Sequence, residues 1–186
     1  MKIESFPIKG LYIIKPNIFH DERGYFFESY NKNRYKEEIG TESFVQDDHS
    51  FSRKNVLRGI HLQTHNPQAQ LLYLASGKVF FSLVDFRPRS KTFLEHISFT
   101  IGSDSHHQIY MSPGLGCAFY ALTDNVNVIY KISKLYGESK EIGIIWNDPD
   151  LNIDWPNDNP IVSEKDNNNL LLRDINFEKY DDLMRL

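Results

Sequence analysis

The stretch QLLYLASGKVFFSLVDF, residues 70–86, decides the fold class of this chain. It contains two β-rich segments, Gln70–Leu74 and Lys78–Phe86, which lie on either side of Gly77. Aromatic and β-branched residues favour a pleated, half-buried surface, and glycine marks a turn. The stretch therefore predicts two consecutive β-strands with no helix between them.

The same pattern continues outward in both directions along the chain. The further β-rich segments, separated mainly by Gly, Pro, Asn and Asp, are Leu11–Ile14, Tyr25–Tyr30, Phe93–Thr100, Gln108–Met111, Cys117–Leu122 and Val126–Ile132. Many strands without alternating helices indicate an all-β sandwich, jelly roll or barrel rather than an α/β sheet. We expect one domain over residues 1–186, with the tail from about residue 168 to residue 186 peripheral.

Helical signals are few. Residues Asn31–Ile39 predict a short helix, with Asn31 as its cap and Gly40 as its stop. The tail from Asn168 to Leu186 has room for one or two short helices. The polar segment Asn157–Asn169 predicts a surface loop.

Composition and charge exclude several classes of protein. A hydrophobic fraction of 40% and a charged fraction of 25% are typical of a soluble globular chain. A net charge of -4 argues against a nucleic-acid partner, since phosphate binding needs a basic face. The single cysteine, Cys117, excludes an internal disulfide framework. No apolar run resembles a signal peptide or a bilayer span, so we expect a cytoplasmic protein without a membrane partner.

Four clusters of polar and aromatic residues are candidates for chemistry. They are DERGYFFE at 21–28, LRGIHLQ at 57–63, VIYK at 128–131 and SEKD at 163–166. Strand alternation in the second cluster places Arg58 and Ile60 on one face, and Gly59, His61 and Gln63 on the other. A single His or Tyr in a strand usually has a structural role, and a charged run is usually solvated. The functional argument therefore depends on the four clusters occurring together.

The histidines do not predict a metal site. The triad common in small β-barrel proteins needs two histidines two residues apart, but the position two after His61 is Gln63. His65 follows at a helical spacing, in a segment where Asn66 and Pro67 indicate a loop. The pair at 106–107 has no evident partners. We therefore expect catalysis without a metal.

Read in order, these clusters make the chain similar to the dTDP-4-dehydrorhamnose 3,5-epimerase family from about Leu11 to Leu172. The matching strings are Asp21–Gly24, Gln46–Ser50, Leu57–Gln63, Val84–Arg87, Val128–Lys131, Trp146–Pro149, Ile153–Pro156 and Ser163–Asp166. The resemblance implies a cupin jelly roll, or double-stranded β-helix. It also implies a homodimer formed by exchange of N-terminal strands, and no cofactor.

The resemblance further implies a reaction, in deoxysugar and O-antigen biosynthesis. A base removes a proton from C3 or C5 of a nucleoside-diphosphate 4-keto-6-deoxy-hexose, an enolate forms, and a proton returns on the opposite face. His61 falls on the family's base, Asp166 on the carboxylate that pairs with this base, and Tyr130 on the tyrosine that delivers the proton. Histidine suits the role of base because it titrates near neutral pH.

Other positions match residues that bind the substrate. Arg58 would hold the pyrophosphate, and Tyr136 would stack on the nucleobase. The remaining positions assigned to substrate binding are Arg23, Glu28, Gln46, Asp48, Gln70, Cys117 and Lys165.

Several positions depart from the family pattern. Gln70 stands where the family has a lysine near the C4 oxyanion, Phe81 where it often has an aspartate, and Cys117 where it has a histidine. Asp48 replaces an asparagine. An amide can donate a hydrogen bond to an oxyanion but supplies no positive charge. Because the base, its aspartate and the tyrosine remain, we interpret the changes as retuning. The enzyme would invert one centre only, or take a different sugar or nucleotide.

Two alternatives stay open. One is a catalytically silent cupin that binds a sugar nucleotide in a regulatory or scaffolding role and exchanges no proton. The other is a 3,4-ketoisomerase-type cupin, which also uses a histidine base but tends to be shorter. The Cys117 thiol could also donate a proton beside a cationic histidine, although a small buried cysteine is the commoner role.

Overall fold

Two antiparallel β-sheets pack against each other in the computed structural model, which describes residues 1–41, 43–135 and 140–186. The first sheet has six strands in the order β1-β2-β10-β7-β12-β5, and the second has five in the order β13-β6-β11-β8-β9. Strands β3 and β4 form a separate hairpin. The fold is the expected all-β jelly roll with a few short helices.

The strands are short, and the helices lie outside the sheets. The strands are β1 Lys2–Ser5, β2 Leu11–Lys15, β3 Phe19–Asp21, β4 Gly24–Phe26, β5 Gln46–Ser52, β6 Leu57–His65, β7 Gln70–Ser76, β8 Lys78–Asp85, β9 His96–Gly102, β10 Gln108–Met111, β11 Leu115–Ala121, β12 Val126–Ile132 and β13 Lys140–Gly143. The α-helices are α1 Lys32–Ile39, α2 Glu164–Asn167 and α3 Asp181–Met184, and 3₁₀ turns cover Ser103–Ser105, Leu172–Asp174 and Phe177–Lys179. No helix within the described ranges is both long enough and apolar enough to span a membrane.

The stretch 70–86 crosses from one sheet to the other. β7 ends in the six-stranded sheet, and β8 begins two residues later in the five-stranded sheet. Gly77, which separates them, has a φ of 83°, and a Cβ at this position would lie 2.8 Å from a side-chain carbon of Val126. Any larger residue would be both strained and crowded there. This glycine therefore makes the change of sheet possible.

The helix after the first hairpin forms as its capping residues predict. The Asn31 side chain accepts hydrogen bonds from the backbone N–H groups of Asn33 and Arg34, and Gly40 ends the helix with a φ of 66°. Tyr35 is the buried residue of this helix. Its hydroxyl donates to the buried Gln108 side chain, which attaches the helix to β10.

The structure differs from the local predictions in several places. The segment 25–30 is a strand only as far as Phe26. β5 was not predicted, because its polar sequence QDDHSFS has few β-forming side chains. The predicted loop at 157–169 contains α2, which begins where the Ser163 side chain accepts a hydrogen bond from the Asp166 N–H. β5 forms because its whole length pairs with β12, whereas α2 depends on this local cap.

Buried apolar side chains form three clusters, two of which lie on the two faces of the five-stranded sheet. Leu72, Phe81, Ile109 and Val128 belong to the core between the sheets. The other face of the five-stranded sheet is covered by apolar residues of the C-terminal tail, of which Leu183 is fully buried. Burying each such side chain contributes about 1.5–3 kcal/mol.

Candidate active site

A cavity of about 340 Å³ opens between the two sheets at one end of the core. Its wall combines charged and amide side chains with an apolar base. The lining residues are Asp48, Ser50, Arg58, His61, Gln63, Gln68, Gln70, Leu72, Cys117, Ala118, Phe119, Val128, Tyr130, Ile132, Glu141, Ser163, Lys165 and Asp166. A concave site with a few convergent polar groups is the usual form of a small-molecule site.

One wall of the cavity is formed by the three paired strands β7, β12 and β5. Tyr130, on the middle strand, is the direct cross-strand partner of Leu72 on one side and of Asp48 on the other. Side chains directly opposite on neighbouring strands lie about 4.5–5.5 Å apart at Cβ. The Tyr130 side chain therefore leaves the sheet between an apolar neighbour and a carboxylate.

The facing wall is carried by β6 and contains a β-bulge. Cys117 of β11 pairs with His61, and Phe119 pairs with Arg58. Two steps along β11 thus oppose three steps along β6, so β6 holds one extra residue beside Gly59. The predicted alternation is therefore wrong for Arg58, which faces the cavity together with His61, while Ile60 packs into the outer core.

His61 and Asp166 form a close pair in this cavity. The Nε2 atom of His61 lies 2.6 Å from Oδ1 of Asp166, whose side chain is 5% exposed. Burial alone would raise the pKa of Asp166. Hydrogen bonds from His61, the backbone N–H of Gly59 and Ser163 outweigh burial and hold that pKa below its ordinary value. Asp166 is therefore an ionised acceptor at neutral pH.

Tyr130 has the protonation state that an acid requires. Burial, followed by the charge of Asp48, raises the pKa of its hydroxyl. The positive charge of Arg58 only partly opposes this effect. The phenol is therefore protonated at neutral pH and can donate a proton into the cavity.

Glu141 is a member of the site that the sequence analysis missed. Its Oε1 atom lies 3.9 Å from Nδ1 of His61 and 2.7 Å from Nζ of Lys165. Its Oε2 atom accepts a hydrogen bond of 3.3 Å from the Gln63 amide. Glu141 lies on the short edge strand β13, next to residues 136–139, and no nearby sequence motif indicates its role.

Most of the predicted binding residues lie at the cavity. Asp48, Arg58, Gln70, Cys117 and Lys165 line the cavity. Gln46 lies beside it, and its amide donates to both carboxylate oxygens of Asp48 at 2.9 and 3.0 Å.

Two other predicted residues lie away from this cavity. Arg23 bonds to Asp21, and Glu28 pairs with Arg34. The third remaining prediction, Tyr136, lies outside the described residues.

The Ser50 hydroxyl on β5 and the Arg58 guanidinium on β6 both line the cavity and can bind a ligand. Arg58 donates to the Ser52 hydroxyl and to the Phe51 carbonyl, both of which are neutral. The buried Ser50 hydroxyl has no hydrogen-bond partner among the described residues. A buried polar group without a partner is unusual in a folded protein, so a ligand that satisfies it is favoured.

Two further departures from the family pattern, Phe81 and Cys117, carry no charge. Phe81 is fully buried in the core between the sheets and does not line the cavity. Burial raises the pKa of the Cys117 thiol to about 12, so this group is neutral.

Over residues 1–41, 43–135 and 140–186, no three His, Cys, Asp or Glu side chains come together as a metal site.

Known proteins resemble this chain over most of its length. The family model described as dTDP-4-dehydrorhamnose 3,5-epimerase matches residues 5–174. The dTDP-4-dehydrorhamnose 3,5-epimerase of Shigella flexneri is 37% identical over 170 residues, which cover 90% of this chain and 94% of the relative.

Solved structures resemble it equally closely. A dTDP-6-deoxy-D-glucose-3,5-epimerase from Legionella pneumophila, in complex with dTDP-4-keto-L-rhamnose, has a TM-score of 0.90 and 38% identity, with 95% of each chain covered. A 3'-monoepimerase from Streptomyces bikiniensis, in complex with dTDP-quinovose, has a TM-score of 0.84 and 30% identity. It covers 90% of this chain and 86% of its own.

Proposed function

This chain belongs to the dTDP-4-dehydrorhamnose 3,5-epimerase family, and we propose that it inverts C3, C5 or both of a nucleoside-diphosphate 4-keto-6-deoxy-hexose. The observation that carries this proposal is the placement of His61 and Tyr130 on opposing sheets, facing one cavity. A base and an acid on opposite sides of a sugar ring are what inversion requires. The matches favour an enzyme over the silent sugar-nucleotide-binding cupin.

The chemistry begins at the acidic C–H bond beside the 4-keto group. His61 takes the proton, and the bond electrons move onto the ketone to give an enolate. Tyr130 then returns a proton to the same carbon from the opposite face, and the ketone re-forms. Each proton transfer between positioned groups typically contributes about 10²–10⁴-fold to the rate.

Asp166 orients the base. With Nε2 of His61 bonded to Asp166, Nδ1 is the nitrogen that takes the substrate proton. The carboxylate also stabilises the imidazolium that forms, as in other His–Asp pairs. Because Asp166 is held by three neighbouring groups, the imidazole cannot easily rotate away.

Binding of the nucleotide part rests on Arg58. Its described partners are neutral, so its positive charge is available to the pyrophosphate. Ser50 donates its unsatisfied hydroxyl to the substrate. Asp48 and Gln46, bonded to each other, contact hydroxyl groups of the ribose or the sugar, and Lys165 contributes to the charge at the entrance.

The enolate oxygen is stabilised without a lysine. Gln70 donates its amide hydrogen to this oxygen, beside the neutral thiol of Cys117 and the apolar Leu72. A neutral donor stabilises the enolate less than a cation does. We therefore favour exchange that is slower than a lysine would give, or inversion confined to one of the two centres.

The active form is a homodimer that exchanges N-terminal strands, and it acts in the cytoplasm. The hairpin of β3 and β4 bonds only within itself among the described strands. Its side chains Phe19 and Phe26 are 63% and 70% exposed. Exchange would cover these rings and bring Arg23 and Glu28 to the nucleotide bound by the partner. Tyr136 would stack on the base.

Proton NMR of dTDP-4-keto-6-deoxy-glucose in D₂O tests the function. Incubation with the protein should remove the C3 signal, the C5 signal or both, and the pattern identifies the inverted centres. Binding of this nucleotide without loss of either signal would contradict the proposal and favour the silent binding protein.

A further inference from the structure

His61 lies between two carboxylates of different character. Asp166 contacts Nε2, and its side chain is 5% exposed, whereas Glu141 approaches Nδ1, and its side chain is 22% exposed. The Oε1 atom of Glu141 that faces His61 is also the atom that pairs with Lys165. The Lys165 side chain is 63% exposed. The His61 side chain is itself 29% exposed and lines the cavity that a bound sugar would fill. Glu141 and Lys165 lead from His61 to the solvent outside that cavity.

The proposed reaction leaves the site in the wrong protonation state after each inversion. The proton taken from the substrate carbon is on His61, and Tyr130 has become a phenolate. Before the next turnover, His61 must lose this proton and Tyr130 must regain one. The raised pKa of Tyr130 makes the phenolate a strong base that water reprotonates readily. The difficult step is the exit of the proton from His61.

The neighbours of His61 differ in their ability to accept this proton. Asp166 is almost fully buried and bonded on several sides, so a proton passed to it remains inside the protein. Cys117, the cross-strand partner of His61, already carries its proton because its pKa is about 12. Among the described residues that line the cavity beside His61, Glu141 combines a carboxylate with a connection to solvent.

We propose that Glu141 is the proton relay that resets His61 between turnovers. This inference rests on the epimerase function proposed above. The Nδ1–H proton of His61 passes to Oε1 of Glu141, directly after a small rotation or through one water molecule across the 3.9 Å gap. Glu141 then releases it to water beside Lys165, while a solvent proton restores the Tyr130 hydroxyl. Glu141 acts on His61 and not on the sugar.

The packing around Glu141 suits this role. The Gln63 amide holds one carboxylate oxygen at 3.3 Å, and the Lys165 ammonium holds the other at 2.7 Å. These contacts fix the distance to His61, and Gly143 of the same strand pairs with His61 in register. The substitution Glu141→Gln keeps the size of the side chain. Its oxygen can accept from Lys165, and its NH2 group can donate to the Gln63 amide oxygen once that amide turns over, but an amide cannot carry the proton.

The test compares single turnover with steady state for Glu141→Gln. The probe is dTDP-4-keto-6-deoxy-glucose in D₂O, with loss of protium from the sugar followed by mass spectrometry. With enzyme in excess, the variant should remove the first proton at the wild-type rate, since His61 and Asp166 are intact. With substrate in excess, its kcat should fall by about 10-fold or more. Added imidazole buffer should restore kcat in a saturable way. The matched control Glu164→Gln removes an exposed carboxylate on α2 and should match the wild type in both regimes.

Two outcomes overturn the relay. In the first, Glu141→Gln turns over at the wild-type rate in a weak, non-imidazole buffer. In the second, the single-turnover rate falls as much as kcat and imidazole restores neither, which would assign Glu141 a purely structural role. A wild-type protein that removes no protium would overturn the epimerase function itself, and the relay with it.

Discussion

Arg58 and His61 face the same cavity although they stand three positions apart on one β-strand. Regular alternation would place them on opposite faces, but the extra residue beside Gly59 shifts the alternation by one. The bulge thus places the proposed pyrophosphate anchor and the proposed base on one surface. The geometry of the site depends on this local irregularity.

We predict that Gly59→Ala destabilises the protein and abolishes exchange. Gly59 has a φ of 107°, and a Cβ there would lie 2.5 Å from the Cys117 carbonyl oxygen and 2.7 Å from the Ala118 Cβ. Strained backbone costs on the order of 1–3 kcal/mol, and the contact with backbone atoms adds to this. Chemical denaturation measures the change in the free energy of unfolding.

The control for this variant is Gly40→Ala. Gly40 also has a positive φ, of 66°, but nothing lies within 4 Å of a Cβ at that position. It should lose about 1 kcal/mol and keep full activity, since only the backbone conformation is disfavoured. Equal losses of unfolding free energy in the two variants would show that a Cβ at position 59 meets no close contact in the bulge.

We predict that Asp166→Asn lowers kcat by about 10²–10⁴-fold with little effect on nucleotide affinity. The substitution also changes the acid stability. Because the pKa of Asp166 is lower in the fold than in the unfolded chain, its ionisation stabilises the fold above about pH 4. That stability is lost as the pH falls through the folded value.

Thermal unfolding between pH 7 and pH 3 checks this sign. The wild type should lose stability more steeply at the acidic end than Asp166→Asn does. The control Asp154→Asn changes an exposed aspartate and should keep the wild-type slope. A steeper acid loss in Asp166→Asn would contradict the direction of the pKa shift.

The amide of Gln70 can be tested as the donor to the enolate oxygen. Gln70→Met keeps the approximate volume but removes the donor, and it should slow exchange by about 10²–10³-fold. Gln70→Lys should raise the rate, because a cation stabilises the enolate more strongly than an amide. Both rates are read from the NMR exchange assay, with nucleotide affinity as the control. Wild-type exchange in Gln70→Met would show that the amide does not contact the oxyanion.

Local patterns were sufficient for much of the fold. The bounds of β10 and β12 match their predicted segments, and α1 starts and stops at Asn31 and Gly40 as their capping properties require. These elements have clear β-forming or capping residues. β5 has few β-forming residues, and it forms because it pairs with β12 along its whole length.

The site was only partly accessible from the sequence. His61, Asp166 and Tyr130 were named through a family resemblance, and no spacing rule joins residues 61 and 166. The bulge had a weak signal, since a glycine inside a strand often marks one. Glu141 had none, because its approach to His61 depends on the pairing of β13 with β6.

Cys117 should be unreactive in the native protein. A pKa of about 12 leaves almost no thiolate at pH 8, and the thiolate is the nucleophile. Iodoacetamide should therefore label the folded chain slowly, and the unfolded chain at one thiol per molecule. Rapid native labelling, measured by intact mass, would show that the thiol is ionised and able to take part in proton transfer.

The most direct test of the central claim is a comparison of proton loss and inversion in Tyr130→Phe. Both are followed in one NMR time course, with dTDP-4-keto-6-deoxy-glucose in D₂O. If His61 and Tyr130 act from opposite faces, the wild type should exchange and invert. The variant should exchange without inverting, and His61→Ala should do neither. Full inversion by Tyr130→Phe at the wild-type rate would contradict the claim that this cavity inverts the sugar through these two residues.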